Sequence, residues 1–148
     1  MSGDQAYRDR ADITEVLLRY ATGIDTRNWD LFRTIWTDDL DAEYGRGFGR
    51  FQGPDEITDY MRGSHARMGR TWHRLSNFVI DVEGDTATSR TYVHAVLNVD
   101  KDDPDAWMDV IGHYDDTLVR TSEGWKIRRR RCGRARMTGA TLPPYPAK

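Results

Sequence analysis

The chain has 148 residues, 38% hydrophobic and 31% charged, with a formal net charge of -2 at pH 7. That length suits one domain with one core, and the near-neutral balance gives no global field for nucleic acid or an anionic membrane surface, although the C-terminal region is locally basic. A single cysteine, Cys132, excludes an internal disulfide and a cysteine-based metal cluster, and no stretch has the apolarity of a signal core or a bilayer span, so a cytoplasmic protein is expected.

Ser2 and Gln5 have the spacing of a capping box, and Ile13, Val16, Leu17, Tyr20, Ala21 and Ile24 recur at helical spacing, which predicts a long helix over 5–24. Trp29, Phe32 and Trp36 lie at i, i+3 and i+7 and predict a short second helix, ended by Asp38-Asp39. In 40–52 the aromatics Tyr44, Phe48 and Phe51 are separated by glycines, which weaken a helix interior, so a hairpin is expected there. Gly53-Pro54-Asp55-Glu56 starts a third helix running to about Met68, with proline and acidic residues placed where a helix N-terminus favours them. From Thr71 the sequence alternates and becomes β-branched over 74–82, 86–98, 107–120 and 124–135, with turn signals between, as in an antiparallel meander. Helices first and strands later indicate an α+β domain over 1–136, in which a curved, mostly antiparallel sheet packs on three N-terminal helices. A tail over 137–148, containing Pro143-Pro144-Tyr145-Pro146, is expected to extend as an arm. A pocket between sheet and helices follows, and five Trp with seven Tyr are enough to line it.

Two residues far apart in the chain carry the chemistry. Asp25 closes the first helix and His73 stands just ahead of the strands. A carboxylate that fixes one ring nitrogen of an imidazole leaves the other as a base near neutral pH. Spacing alone favours Asp25 as the N-cap of the second helix and His73 as a half-exposed residue at a strand entrance. Tyr20 fits either the core stripe or a hydroxyl donor to a substrate oxygen. His94 alternates with Tyr92 and Val96, whereas Val93 and Ala95 point the other way; His113 receives no role. The run Arg128-Arg129-Arg130-Arg131 is of the kind that forms solvated or interface charge, alternate residues on opposite faces. No histidine pair lies at i, i+4 and no His/Asp/Glu group has ligand spacing, so no metal is expected. Gly45-Arg46-Gly47-Phe48-Gly49 lacks the strand-to-helix context of a nucleotide fingerprint, and no Gly-x-Ser-x-Gly elbow exists, so no cofactor and no serine or cysteine nucleophile are expected.

Several phrases carry a family resemblance: Ile24-Asp25-Thr26-Arg27-Asn28-Trp29-Asp30 after the first helix, Phe51-Gln52-Gly53-Pro54-Asp55-Glu56-Ile57 before the third, and Gly112-His113-Tyr114-Asp115-Asp116 leading to Gly124-Trp125-Lys126-Ile127. With the element order they resemble, over residues 5–135, the SnoaL-like members of the nuclear-transport-factor-2-like superfamily, a cone-shaped α+β fold. Within it the chain looks most like the branch of scytalone dehydratase, hexachlorocyclohexane dehydrochlorinase and bile-acid 7α-dehydratase. The resemblance implies that Asp25 and His73 are a catalytic pair and that Tyr20 matches a pocket tyrosine of the bile-acid enzyme. It also matches Arg130 to a pocket arginine of the dehydrochlorinase, or Arg129 if the register slips by one. His94, Trp29 and Tyr114 join these as candidate substrate-binding side chains. The implied function is a cofactor-independent lyase, dehydratase-type, acting on a hydrophobic cyclic or polycyclic small molecule. A double-bond isomerase or polyketide cyclase would use the same base, since the fold hosts many chemistries. The rival is a non-catalytic ligand-binding module like the β subunit of aromatic-ring dioxygenases. Self-association, as a trimer ahead of a dimer, is expected.

Overall fold

The computed structural model describes residues 3–45 and 47–142; Ser2 of the expected capping box and 143–148 of the expected arm lie outside them. In chain order the elements are α1 (Gly3–Asp25), α2 (Trp29–Thr34), β1 (Trp36–Glu43), β2 (Arg50–Gln52), α3 (Gly53–His65), β3 (Thr71–Glu83), β4 (Thr86–Asn98), β5 (Trp107–Thr121) and β6 (Gly124–Gly139). The strands form one sheet in the order β2-β1-β6-β5-β4-β3. Every pairing is antiparallel except β1 with β6. This is the expected α+β cone, an unclosed curved sheet with helices packed against it. No helix among the described residues is long and apolar enough to cross a membrane.

The boundaries differ from the sequence expectation in instructive places. Trp36, spaced to continue the α2 stripe, instead starts β1 opposite Ile127, and the Ile35 carbonyl accepts from the Ile127 amide at 2.8 Å. The aromatic and β-branched run around Ile35-Trp36-Thr37 suits a strand, so sheet pairing overrides the helical period. Strand β3 starts at Thr71 and so takes His73 into the sheet rather than leaving it at the entrance. Strand β6 continues to Gly139, past the expected boundary at 136.

The α1 stripe of Ile13, Leu17, Tyr20 and Ile24 is buried against Phe32, Leu118 and Ile127. Asp9 lies on the same stripe and is fully buried. Its carboxylate accepts from both terminal nitrogens of Arg120, at 2.8 and 2.9 Å, and from Trp125 Nε1 at 3.2 Å, tying α1 to β5 and β6. The Arg120 hydrogen bonds hold the Asp9 carboxyl below the usual carboxylate range, against the opposing effect of burial.

One irregularity decides what enters the interior. Between β5 and β6 the register runs Thr117 with Arg129 and then Leu118 with Ile127, so Arg128 is an extra residue on β6. A bulge of this kind re-aims the following side chains. Ile127 and Arg130 are both fully buried as a result, and Arg129 is exposed. On the outer face Trp72 stacks on Trp107 at 6.0 Å, with Tyr92 and Ile111 exposed on the neighbouring strands.

Candidate active site

Helix α1 delivers Asp25 as its last residue, and the chain turns at once through Arg27, whose φ of 57° lies in the left-handed region. Asn28 caps α2 by accepting from the Leu31 amide at 3.0 Å, which leaves Asp25 free of the capping duty its position suggested. The Asp25 carboxylate instead crosses to β3. There it accepts from Thr71 Oγ1 at 2.9 Å, from the His73 amide at 2.8 Å and from His73 Nδ1 at 2.7 Å. Strand alternation puts Thr71 and His73 on one face, so a single carboxylate reaches both. Arg27 buttresses the arrangement, donating to the Ile24 carbonyl at 2.7 Å, Thr71 Oγ1 at 2.9 Å and the Gly69 carbonyl at 2.7 Å.

Burial works against the charge on Asp25, but the hydrogen bonds and the charge of His73, with Thr71, outweigh it and hold the carboxyl below its ordinary value. A carboxylate can only accept, so Nδ1 of His73 carries the proton and Nε2 is the lone-pair nitrogen of the neutral ring. The His73 side chain is 8% exposed and lines a cavity of about 630 Å³ between the sheet and helices α1 and α3. Much of the wall is apolar, including Ile24, Val93, Ala95, Leu97 and Val110. Gly112 also lines the cavity, and a Cβ there would collide with the Gly133 carbonyl oxygen of the neighbouring strand, so the close approach of β5 and β6 requires glycine.

Beside His73 the wall is phenolic. Tyr20 meets the His73 ring edge-on at 6.1 Å and Tyr114 at 5.3 Å. The Tyr20 oxygen accepts from the Tyr44 hydroxyl at 3.2 Å, and Tyr114 also hydrogen-bonds to it. With the Tyr44 proton directed at its oxygen, the Tyr20 O–H is not committed to Tyr44. Burial pushes the Tyr20 phenol up, partly offset by the charge of Arg130, and pushes Tyr44 and Tyr114 well above the ordinary value, so all three stay protonated.

Arg130 stands behind this wall. Its guanidinium lies 4.3 Å from the Tyr20 ring centre and 4.2 Å from that of Tyr114, and forms a two-pronged pair with Asp116 at 2.8 and 2.7 Å. Both side chains of the pair are fully buried, and Arg130 is not among the residues lining the cavity. It therefore reaches a bound molecule only through the tyrosines. Tyr114 does line the cavity. His94 and Trp29 do not. His94 points to the outer face and pairs with Asp109 at 2.8 Å, because Val93 and Ala95 take the inner one. Trp29 is partly buried and packs on Phe32 and His65.

Sequence reasoning missed four members of the site: Arg27, Tyr44, His65 and Thr71. Thr71 was legible from alternation with His73, and His65 from its place on the Ile57-Met61-His65 stripe of α3. Arg27 and Tyr44 depend on turns that no periodicity announces. His65 is 7% exposed, and burial, helped by the charges of Arg27 and His73, pushes it down to about 3 from 6.5. The folded protein thus holds this ring neutral where the unfolded chain would protonate it. The resulting stability is complete above about pH 6.5 and is lost as the pH falls toward 3, by at most about 1.4 kcal/mol per pH unit. Denaturant melts of His65→Phe at pH 7 and pH 5 should show that slope reduced. A variant as acid-sensitive as its parent would contradict the assignment.

The profile of the SnoaL-like domain family matches residues 5–131. An uncharacterized protein of Mycobacterium tuberculosis is 32% identical over 123 residues, 82% of each chain. Among solved structures, a provisionally assigned aromatic ring hydroxylase from Novosphingobium aromaticivorans is 30% identical, with 90% of this chain and 94% of that one covered and a TM-score of 0.83. A provisionally assigned scytalone dehydratase from the same organism is 23% identical, covers 95% and 93%, and has a TM-score of 0.84, a likeness of fold.

Proposed function

The chain belongs to the SnoaL-like domain family, and from that premise we propose that it is a cofactor-independent lyase removing water from a hydrophobic cyclic or polycyclic small molecule. The observation that carries the proposal is the 2.7 Å contact between Asp25 and His73 on the wall of a largely apolar cavity. His73 Nε2 takes a proton from the carbon beside a carbonyl, and Asp25 stabilises the imidazolium that results. The Tyr20 O–H donates to the carbonyl oxygen as it gains enolate charge, with the Arg130 guanidinium behind the ring. The C–O bond to the β-hydroxyl then breaks, the carbon–carbon double bond forms, and the imidazolium returns its proton to the departing oxygen, releasing water. One base on one wall makes this a syn elimination.

The test is incubation with a panel of cyclic β-hydroxyketones in deuterated buffer, followed by mass spectrometry. Loss of water, with solvent deuterium exchanged into recovered substrate, is the expected result. Asp25→Asn should slow it by about 100-fold or more, because the amide no longer stabilises the cation. Deuterium exchange with movement of a double bond and no loss of water would instead make the protein an isomerase using the same base.

The 30% identical structure named as an aromatic ring hydroxylase favours a second reading, a non-catalytic subunit of a ring-hydroxylating assembly. Purified protein that neither exchanges nor eliminates, and that recovers a large partner from its source, would select it. Self-association completes the proposal, and light scattering should return a multiple of the 17.1 kDa chain mass; a monomer would remove that part alone.

A further inference from the structure

The cavity holds a second imidazole that the proposed elimination leaves unused. His65 closes α3 and lines the cavity together with Met61, Ser64 and Met68. Its Nδ1 lies 2.9 Å from the Met61 carbonyl oxygen and 3.1 Å from Ser64 Oγ, and that hydroxyl donates to the same carbonyl at 3.1 Å. A carbonyl oxygen only accepts, so the proton of the neutral ring is on Nδ1. Nε2 is left with a lone pair, and among the described residues no donor meets it although the atom is buried. Buried polar atoms are paired in nearly all proteins, and each exception calls for an explanation.

We propose that His65 reads a hydroxyl group on the ligand, its Nε2 accepting a hydrogen bond from an O–H carried by the ring system in the cavity. The donor is neutral because the guanidinium groups disfavour an ammonium group: Arg27 acts electrostatically on His65 and outweighs the opposing carboxylate of Asp25, and exposed Arg67 lines the same cavity. The two histidines thereby divide their work. His73 is backed by a carboxylate; His65 is backed by a carbonyl, and the pull of Asp25 on it is outweighed by burial and by Arg27, so it serves as an acceptor. This rests on the cavity being the substrate site, and not on which bond breaks there.

The probes are 2-naphthol and its methyl ether, 2-methoxynaphthalene, which share a ring system and differ in the donor. In protein labelled with nitrogen-15 at histidine, His65 should show an unprotonated Nε2 whose resonance moves upfield with naphthol and stays in place with the ether. Naphthol should bind on the order of tenfold tighter than the ether, the scale of one buried acceptor left unpaired. That preference should vanish in His65→Phe, whose ring fills the space while Ser64 still serves the Met61 carbonyl. It should return in part in His65→Gln and survive in His73→Ala. A proton on Nε2, no naphthol binding at millimolar concentration, equal affinities, or a preference that persists in His65→Phe would each overturn the assignment. The elimination would fail separately, through undiminished turnover in His73→Ala.

Discussion

His73→Ala is expected to lose turnover by about 100- to 10,000-fold, the usual contribution of a positioned general base, while the protein stays folded. The fold should survive because Asp25 keeps two of its three partners. The residue 73 amide and Thr71 Oγ1 still donate to it, and Arg27 still anchors Thr71 and the Gly69 carbonyl. Removing one hydrogen-bonded ring costs about 1–2 kcal/mol, a melting shift of only a few degrees in a chain of this size. Circular dichroism and thermal melting therefore separate lost chemistry from lost structure. Activity within a few-fold of the parent in well-folded His73→Ala would remove the base from the mechanism.

The largest effect on stability is expected from Asp116→Ala. The Arg130 guanidinium has no exposure, and among the described residues its Nη1 has no hydrogen-bond partner and its ion pair is with the carboxylate on the facing residue of β5. Taking that partner away strands a charge beneath Tyr20 and Tyr114, at a cost of about 3–5 kcal/mol. The melting temperature should fall by roughly 10 °C or more. Replacing both partners together, as in Asp116→Leu with Arg130→Met, should recover much of the loss, since an apolar pair of similar volume needs no desolvation of charge. A double variant less stable than Asp116→Ala would mean that the aromatic sandwich around Arg130, and not the stranded charge, dominates. The single variant should also weaken catalysis, because the phenol that faces the substrate oxygen would lose the ordered cation behind it.

The helical stripe of α1, the Gly53-Pro54 start of α3 and the turns that bound β4 were all readable locally, because each depends on residues within a few positions of one another. Strand β4 came out at its observed limits, 86–98. The parallel pairing of β1 with β6 was not readable, since it joins segments about ninety residues apart and no local pattern encodes it. Arg130 against Arg129 was undecidable for a similar reason: strict alternation from Trp125 and Ile127 favours Arg129, and only the extra residue at Arg128 turns Arg130 inward. Alternation did separate His94 from Val93 and Ala95, but left open which set faced the cavity. Asp25 and Asn28 are both eligible caps, and the structure divides the duties, Asn28 capping α2 and Asp25 meeting His73. The pairing of Asp25 with His73 came from family resemblance, and the three hydrogen bonds to one carboxylate give it a physical basis.

The most direct test of His73 as the base is a crystal structure with a bicyclic ketone such as 1-tetralone bound in the cavity. His73 Nε2 should approach the carbon beside the carbonyl to about 3–3.5 Å, with Tyr20 donating to the carbonyl oxygen and the Asp25 contact intact. A ketone seated with that carbon away from His73, or with its oxygen out of reach of Tyr20, would contradict it.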